Sequence, residues 1–513
     1  MDEAKDNVSP QEIAAIRSRG PKWAAVVTIL VAALGFLILV APIFLTRSQK
    51  RTLARLWRGE INLAGEQLFE PEHPTGTDGV PWREVHASLI PRWMVAQAHR
   101  PKNPSVRSRA DVRSERAAQR AYTQLRYSLG SDQNLVRILD ELEGHLRTDP
   151  VGQAGRIDYL LWAYNHYLDE SEIPWRIEAT MHMREDGRPA FYTRSYEVLE
   201  DLMTTSGRLR LVRRVDLTNI EEGFLGHTTG HREGALVMMD RNLHFAVQQV
   251  WPMLHAGLDE RLPPELRNVA PFVREEAAAA LPPGLLALLQ ETAVDDMALI
   301  EVADSIHARS ECGSSFRVYG LPWNGLAPPD QRALVDALGR SQNTECPEVT
   351  LNEAARLIGA SQRLGETKDL AIAVEYLSTW VAGAVSIHEL RHVADGAGDH
   401  SGDDETFCAG CPEGSDDATR DELSAYLASF AAPGHGYLAL AQACAMEHNN
   451  VGGLSAHAQA LALAIPDIVG GSCAGPIPDD LYARSREVEA LYFGARQPVE
   501  LPSDFPGRLR LLR

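Results

Sequence analysis

The chain has 513 residues, 44% of them hydrophobic and 23% charged, which is the balance of an ordinary globular protein with room for two or three domains. Its formal net charge of −20 excludes a general nucleic-acid binder, since phosphate-backbone contacts call for basic surface. Only five of the 50 basic residues are lysine, a bias that with abundant Ala, Leu and Gly points to a GC-rich bacterial genome.

Residues 1–22 are polar and mixed in charge, and read as a tail. Residues 23–45 then run for 23 positions without a charge. As a helix they would extend about 34 Å, enough to cross a hydrocarbon core. No small-residue cleavage pattern follows, so the segment reads as a retained transmembrane anchor. Lys5, Arg17, Arg19 and Lys22 precede it and Arg47, Lys50, Arg51, Arg55 and Arg58 follow it, so flanking charge does not set the orientation. The cysteines do better. All six (Cys312, Cys346, Cys408, Cys411, Cys444 and Cys473) lie beyond the anchor in an even number suited to disulfides, which places the main domain outside the cytoplasm, as in a single-pass protein of a bacterial inner membrane. A competing reading builds a structural zinc site from Cys408-x-x-Cys411 with Cys444 and Cys473.

Residues 46–113 read as a membrane-proximal stalk with basic patches, and residues 114–345 as a helical and β-rich subdomain. Within the latter, residues 114–168 have helical spacing. After Pro174 the period shortens, giving strand candidates at 175–183 and 189–198 around the turn-like 184–188, then at 208–215 and 234–240. His227 and His231 are four apart, but Thr228-Thr229-Gly230 between them argues for a loop or a strand end.

Residues 346–513 hold the motif around which the rest is organised. Residues 370–387 are rich in Ala, Val, Leu and Ile, with Glu375 the one charge, as expected of a helix buried through a domain centre. That pattern runs into His388-Glu389-Leu390-Arg391-His392, and Gly396 is placed to end it. On a helix, positions four apart share a face, so His388 and His392 can offer two imidazole nitrogens to one metal ion. Glu389 beside them can take a proton from a water whose pKa the metal has lowered. Thirty residues past His392, the stretch 420–430 has apolar helical spacing at Leu423, Tyr426, Leu427 and Phe430, and it carries Glu422 as the expected third ligand.

Here the chain resembles the zincin metallopeptidases of the gluzincin type, in which a glutamate from a second helix completes a zinc shell. The resemblance covers roughly residues 370–430. It implies that His388, His392 and Glu422 hold Zn2+ and that Glu389 is the general base. Where the family's second helix often reads Glu-x-x-Ala/Ser-Asp, this chain has Glu422-Leu-Ser-Ala425-Tyr426. Asp395 or Asp421 is then left to orient a ligand histidine, and Tyr426, one turn beyond Glu422, either supports the developing oxyanion or is a core tyrosine. His400 and Asp421 are the alternative metal ligands, and His435 and His448 alternative oxyanion partners. The acidic stretch 397–419 reads as a lid beside the metal, with calcium binding or plain solvation as further readings of its acids.

The expected fold is α+β: an N-terminal transmembrane helix followed by a mostly helical, zincin-like ectodomain with a smaller β-rich part. The expected function is membrane-anchored hydrolysis of peptide bonds, with a peptide or protein as substrate, the membrane as partner through one N-terminal helix, and no nucleic acid. The alternative is a catalytically inactive, membrane-tethered scaffold with a zincin-like domain.

Overall fold

A computed structural model describes residues 79–98, 109–149, 151–183, 189–216, 225–229, 234–341, 344–396, 407–412, 415–449 and 455–512. The segments expected to be a tail (1–22) and a membrane anchor (23–45) and much of the expected stalk (46–113) lie outside the described residues, as do His231, His400 and the side chain of His448. Within them the architecture is α+β: mostly helical, with one five-stranded sheet. The chain forms two compact units, one of Met1–Ile173 with Ile177–Thr193 and the other of Pro174–Arg176 with Arg194–Arg513. Strands β1 (Trp175–Met183) and β2 (Pro189–Met203) run through the division.

The first unit contains α1 (Ile90–Ala98), α2 (Arg109–Leu129), α3 (Gln133–Thr148) and α4 (Ala154–Glu170). Helix α3 is a plain amphipathic case: Leu135, Ile138, Leu139, Leu142 and Leu146 recur three or four apart and are all buried. Its start is fixed by Asp132, which accepts from the backbone N–H of Asn134 and of Leu135 at 3.1 Å each, a cap of about 1 kcal/mol. The other oxygen of Asp132 accepts from Tyr167 of α4, and Trp93 stacks on Tyr122 at 4.7 Å between centroids.

The second unit is built on the rest of the sheet, with β3 (Arg208–Arg214), β4 (Gly226–Thr229) and β5 (Gly234–Met238) in the order β1-β2-β3-β5-β4. Strand β3 pairs antiparallel with β2 and parallel with β5, while β4 pairs antiparallel with β5 and ends the sheet. The four strands expected from the sequence are present. Strand β4 is an addition.

The second unit also contains α5 (Met239–Phe245), α6 (Ala270–Ala280), α7 (Pro283–Ala308), α8 (Pro328–Arg340), α9 (Leu351–Glu366), α10 (Leu370–Asp395), α11 (Asp417–Phe430), α12 (Gly436–Asn449), α13 (Ala456–Val469) and α14 (Leu481–Phe493), of which α5 and α10 pack on the sheet. Helix α10 is the expected central helix. Ala373, Val374, Leu377, Trp380, Val381 and Ala384 join the large helical core, while Ala382, Val385, Ile387 and Leu390 join the cluster formed with Leu209, Leu211, Ala235 and Val237 of the sheet. A helix apolar on every side needs such cover, and each large side chain so buried is worth about 1.5–3 kcal/mol. On length and apolarity alone α10 would cross a membrane, yet 83% of its most apolar window is buried inside the protein. Gly396 ends it at φ 72°, a left-handed conformation that glycine adopts without steric cost, and its N–H bonds back to the carbonyls of His392 and Val393.

The one acid in the apolar half of α10 is answered by the C-terminal segment. Glu375 accepts from Arg508 Nε at 2.7 Å and from the Leu512 N–H at 3.0 Å, and Thr379 Oγ1 accepts from the Leu509 N–H at 2.9 Å. The six cysteines pair as Cys312–Cys346, Cys408–Cys411 and Cys444–Cys473. Disulfide formation therefore consumes the four sulfurs that the structural-zinc reading required.

Candidate metal centre

His388 and His392 stand one turn apart on α10, their ring centroids 4.9 Å apart. Glu422 comes from α11, whose first turn is held by Asp416 accepting from the Thr419 N–H at 2.7 Å. Leu423, Leu427 and Phe430 are buried in the helical core and fix the roll of α11, which turns Glu422 toward the two histidines. His388 Nε2 is 3.2 Å from Glu422 Oε2, His392 Nε2 is 3.3 Å from His388 Nε2, and His392 Nε2 is 3.7 Å from Glu422 Oε2. Among the described residues this is the one group of three potential metal-ligating side chains whose donor atoms all converge, within 4.8 Å of one another.

That triangle can be tested against a metal. Ligands at about 2.0–2.1 Å on a tetrahedral ion stand about 3.3 Å apart, so the 3.2 and 3.3 Å edges match what zinc would require and the 3.7 Å edge is somewhat longer. The donor chemistry agrees, since two imidazoles and one carboxylate are zinc ligands and leave a fourth position open. The Nε2···Nε2 separation of 3.3 Å suits two nitrogens sharing one ion, and equally an N–H of one ring donating to the other.

Electrostatics reinforce the grouping. Burial alone would raise the Glu422 carboxyl, but hydrogen bonds from His388, His392 and His457 hold it far below the usual carboxylate range. Burial alone would lower His392. The bond to Glu422 and the charges of Glu389, Glu422 and Asp421 overcome that and push it up to about 9. Burial and the two glutamates push the Tyr426 hydroxyl well above its ordinary value.

His457, at the start of α13, is a site residue that the sequence reading did not select. Its Nδ1 is 2.9 Å from Glu422 Oε2 and 3.1 Å from the Tyr426 hydroxyl. A carboxylate only accepts, so Nδ1–H donates to Glu422, and the tyrosine proton is free to point to Met446 Sδ at 3.6 Å. His457 therefore holds the Glu422 carboxylate, a different task from the orienting of a histidine considered for Asp395 and Asp421. No local signal marks it, because it lies 35 residues beyond Glu422 on another helix.

Asp395 has a different role from the one considered for it. It accepts from Ser424 at 2.6 Å and from Arg496 at 2.8 Å, and so ties the end of α10 to α11 two residues past Glu422. The Arg496 guanidinium lies over Phe407 and Phe493 at 4.7 and 4.4 Å, and Arg391 donates to the buried Glu489 at 2.6 Å. These bonds fix α10 and α11 against each other and against α14.

Glu389 is 5% exposed and lies under β4. Thr228 Oγ1 donates to its Oε2 at 3.0 Å, and a Cβ at Gly226 would come within 2.8 Å of Glu389 Cγ. Asp421 bears on the site through its charge on His392. His227 faces the Tyr196 ring at 6.3 Å, and His435 packs against Gly383, five residues before His388, where burial lowers its pKa to about 4.

No protein-family model, curated protein or solved structure matches the chain.

Proposed function

We propose that the chain is a zinc-dependent metallopeptidase of the gluzincin type, held at a membrane by residues 23–45, with its main domain outside the cytoplasm. The observation that carries this reading is the nearly regular triangle of His388 Nε2, His392 Nε2 and Glu422 Oε2, with edges of 3.2, 3.3 and 3.7 Å and a carboxylate next in sequence to the first histidine. A purely structural metal has no need of that carboxylate.

Zinc held by the three donors would polarise a scissile carbonyl and lower the pKa of water to about 7. Glu389 accepts the proton of the attacking water as its oxygen bonds to the carbonyl carbon, then delivers that proton to the leaving nitrogen as the C–N bond breaks. Its burial under β4 keeps bulk water from competing for the same proton. His457 and Tyr426 line the Glu422 side of the centre, His457 with about 42% of its side chain exposed and its Nδ1 anchored on Glu422. That arrangement suits it to meet the developing oxyanion through the rest of the ring. Strand β4, at the end of the sheet and beside Glu389, offers the edge along which an extended peptide would pair.

The test is hydrolysis of a peptide library by the full-length, zinc-loaded chain. Glu389→Gln should lower the rate about 10²- to 10⁴-fold while retaining zinc. Equal rates in wild type and variant would overturn the reading.

A further inference from the structure

Strand β4 does more than end the sheet. Gly226 and Thr228 are two apart, so they share one strand face, and both meet the same side chain. A Cβ on Gly226 would stand 2.9 Å from Glu389 Oε1 and 2.9 Å from Val385 Cγ1, as well as 2.8 Å from Glu389 Cγ. Thr228 Oγ1 is 3.0 Å from Glu389 Oε2 and 3.3 Å from the Glu389 carbonyl oxygen. A hydroxyl has one proton, and the charged, nearer oxygen is the stronger acceptor. One residue leaves room for the carboxylate, and the other binds one of its oxygens.

We propose that Gly226 and Thr228 form a cradle that positions Glu389 as the general base, with Thr228 a positioning residue acting through it. The inference rests on the hydrolase reading above and deepens it. Glu389 Oε2 is committed to Thr228, which leaves Oε1, the oxygen over Gly226, to receive the proton from water. A glutamate has three rotatable bonds, and without the cradle its carboxylate would sample rotamers that face away from the attacking water. The neighbouring His227 faces the opposite side of the strand, toward Tyr196, so the cradle belongs to one face only.

The variants are Thr228→Val, which keeps the shape and removes the donor, Thr228→Ser, which keeps the donor, and Gly226→Ala. In the zinc-loaded full chain, Thr228→Val should lower kcat about ten- to a hundredfold with KM within about twofold, the usual worth of a hydrogen bond to a charged group. Thr228→Ser should restore most of that loss. In a Glu389→Gln background, Thr228→Val should cost nothing further, because its route of action is already gone. The second readout needs no activity. In crystals of the zinc-loaded Thr228→Val chain, the Glu389 carboxylate should leave the rotamer it holds against β4, and in Gly226→Ala it should be displaced from the new Cβ. An unmoved Glu389 in both variants would overturn the cradle even if no substrate is found. So would an unchanged kcat for Thr228→Val in a chain whose wild type is active. If the wild type hydrolyses no peptide, the hydrolase reading fails separately, and the crystals still decide whether the cradle holds Glu389.

Discussion

Asp296 and Glu422 are both carboxylates taken out of water in the second unit, and the protein treats them in opposite ways. Asp296 sits in the middle of α7, fully buried, with neither oxygen hydrogen-bonded among the described residues. Burial accordingly drives its pKa well above the usual carboxylate range. Glu422 is met by three imidazoles and is held far below that range. Glu375 on α10 is a third case, paired with Arg508 across to the C-terminal segment. Helices α7 and α10 are both 26 residues long and both mostly apolar, so composition alone does not separate a scaffold helix from the one that carries the candidate site. The difference lies in what meets each buried polar group, and a carboxylate whose burial is offset by converging nitrogens is the mark of a site.

The largest expected effect comes from removing the carboxylate that is answered. Glu422→Ala should weaken zinc retention by more than about a hundredfold, the upper range for loss of an outer-shell partner, and metal analysis after dialysis reads it. Zinc bound as in wild type would break the contrast, because Glu422 would then be a buried acid with histidine neighbours and nothing more.

Next is the acid that is answered by a single cation. Arg508→Ala leaves Glu375 buried without its charge partner and should destabilise the chain by about 2–4 kcal/mol, somewhat less than a fully buried pair because Arg508 is partly exposed. Chemical denaturation at neutral pH measures it, and a cost within error of zero would show that the Leu512 N–H alone satisfies Glu375.

The smallest effect concerns the acid that is not answered. Because burial raises the folded pKa of Asp296 well above its ordinary value of 3.8, the fold favours the protonated form. Its contribution to stability is therefore full below pH 3.8 and is lost as pH rises through the folded pKa. Asp296→Asn should leave stability unchanged near pH 3.5 and raise it by about 1–3 kcal/mol at pH 7.5. A variant no more stable than wild type at pH 7.5 would show that Asp296 is satisfied.

How much of this was legible in the sequence follows from how local each feature is. Helix α10, its stop at Gly396 and the spacing of His388, Glu389 and His392 are read within a few turns, where periodicity and capping speak directly. Glu422 was reachable because its own helix has a clear apolar face. Strand β4 was legible only in part, since its sequence reads as a loop or a strand end, and pairing with β5 is what makes the short Gly226–Thr229 a strand. Thr228 and His457 lie 161 and 31 residues from the partners they touch, Glu389 and Tyr426, and no local pattern encodes such a meeting. The same holds for Arg508 and Glu375, 133 residues apart.

The most direct test of the central claim is the zinc content of the purified full-length chain in detergent, after exposure to zinc and removal of the excess, beside His388→Ala. The account expects about one zinc per chain in wild type, the stoichiometry of a single three-ligand site, and its loss in the variant. Wild type without bound zinc, or a variant that retains as much as wild type, would contradict it.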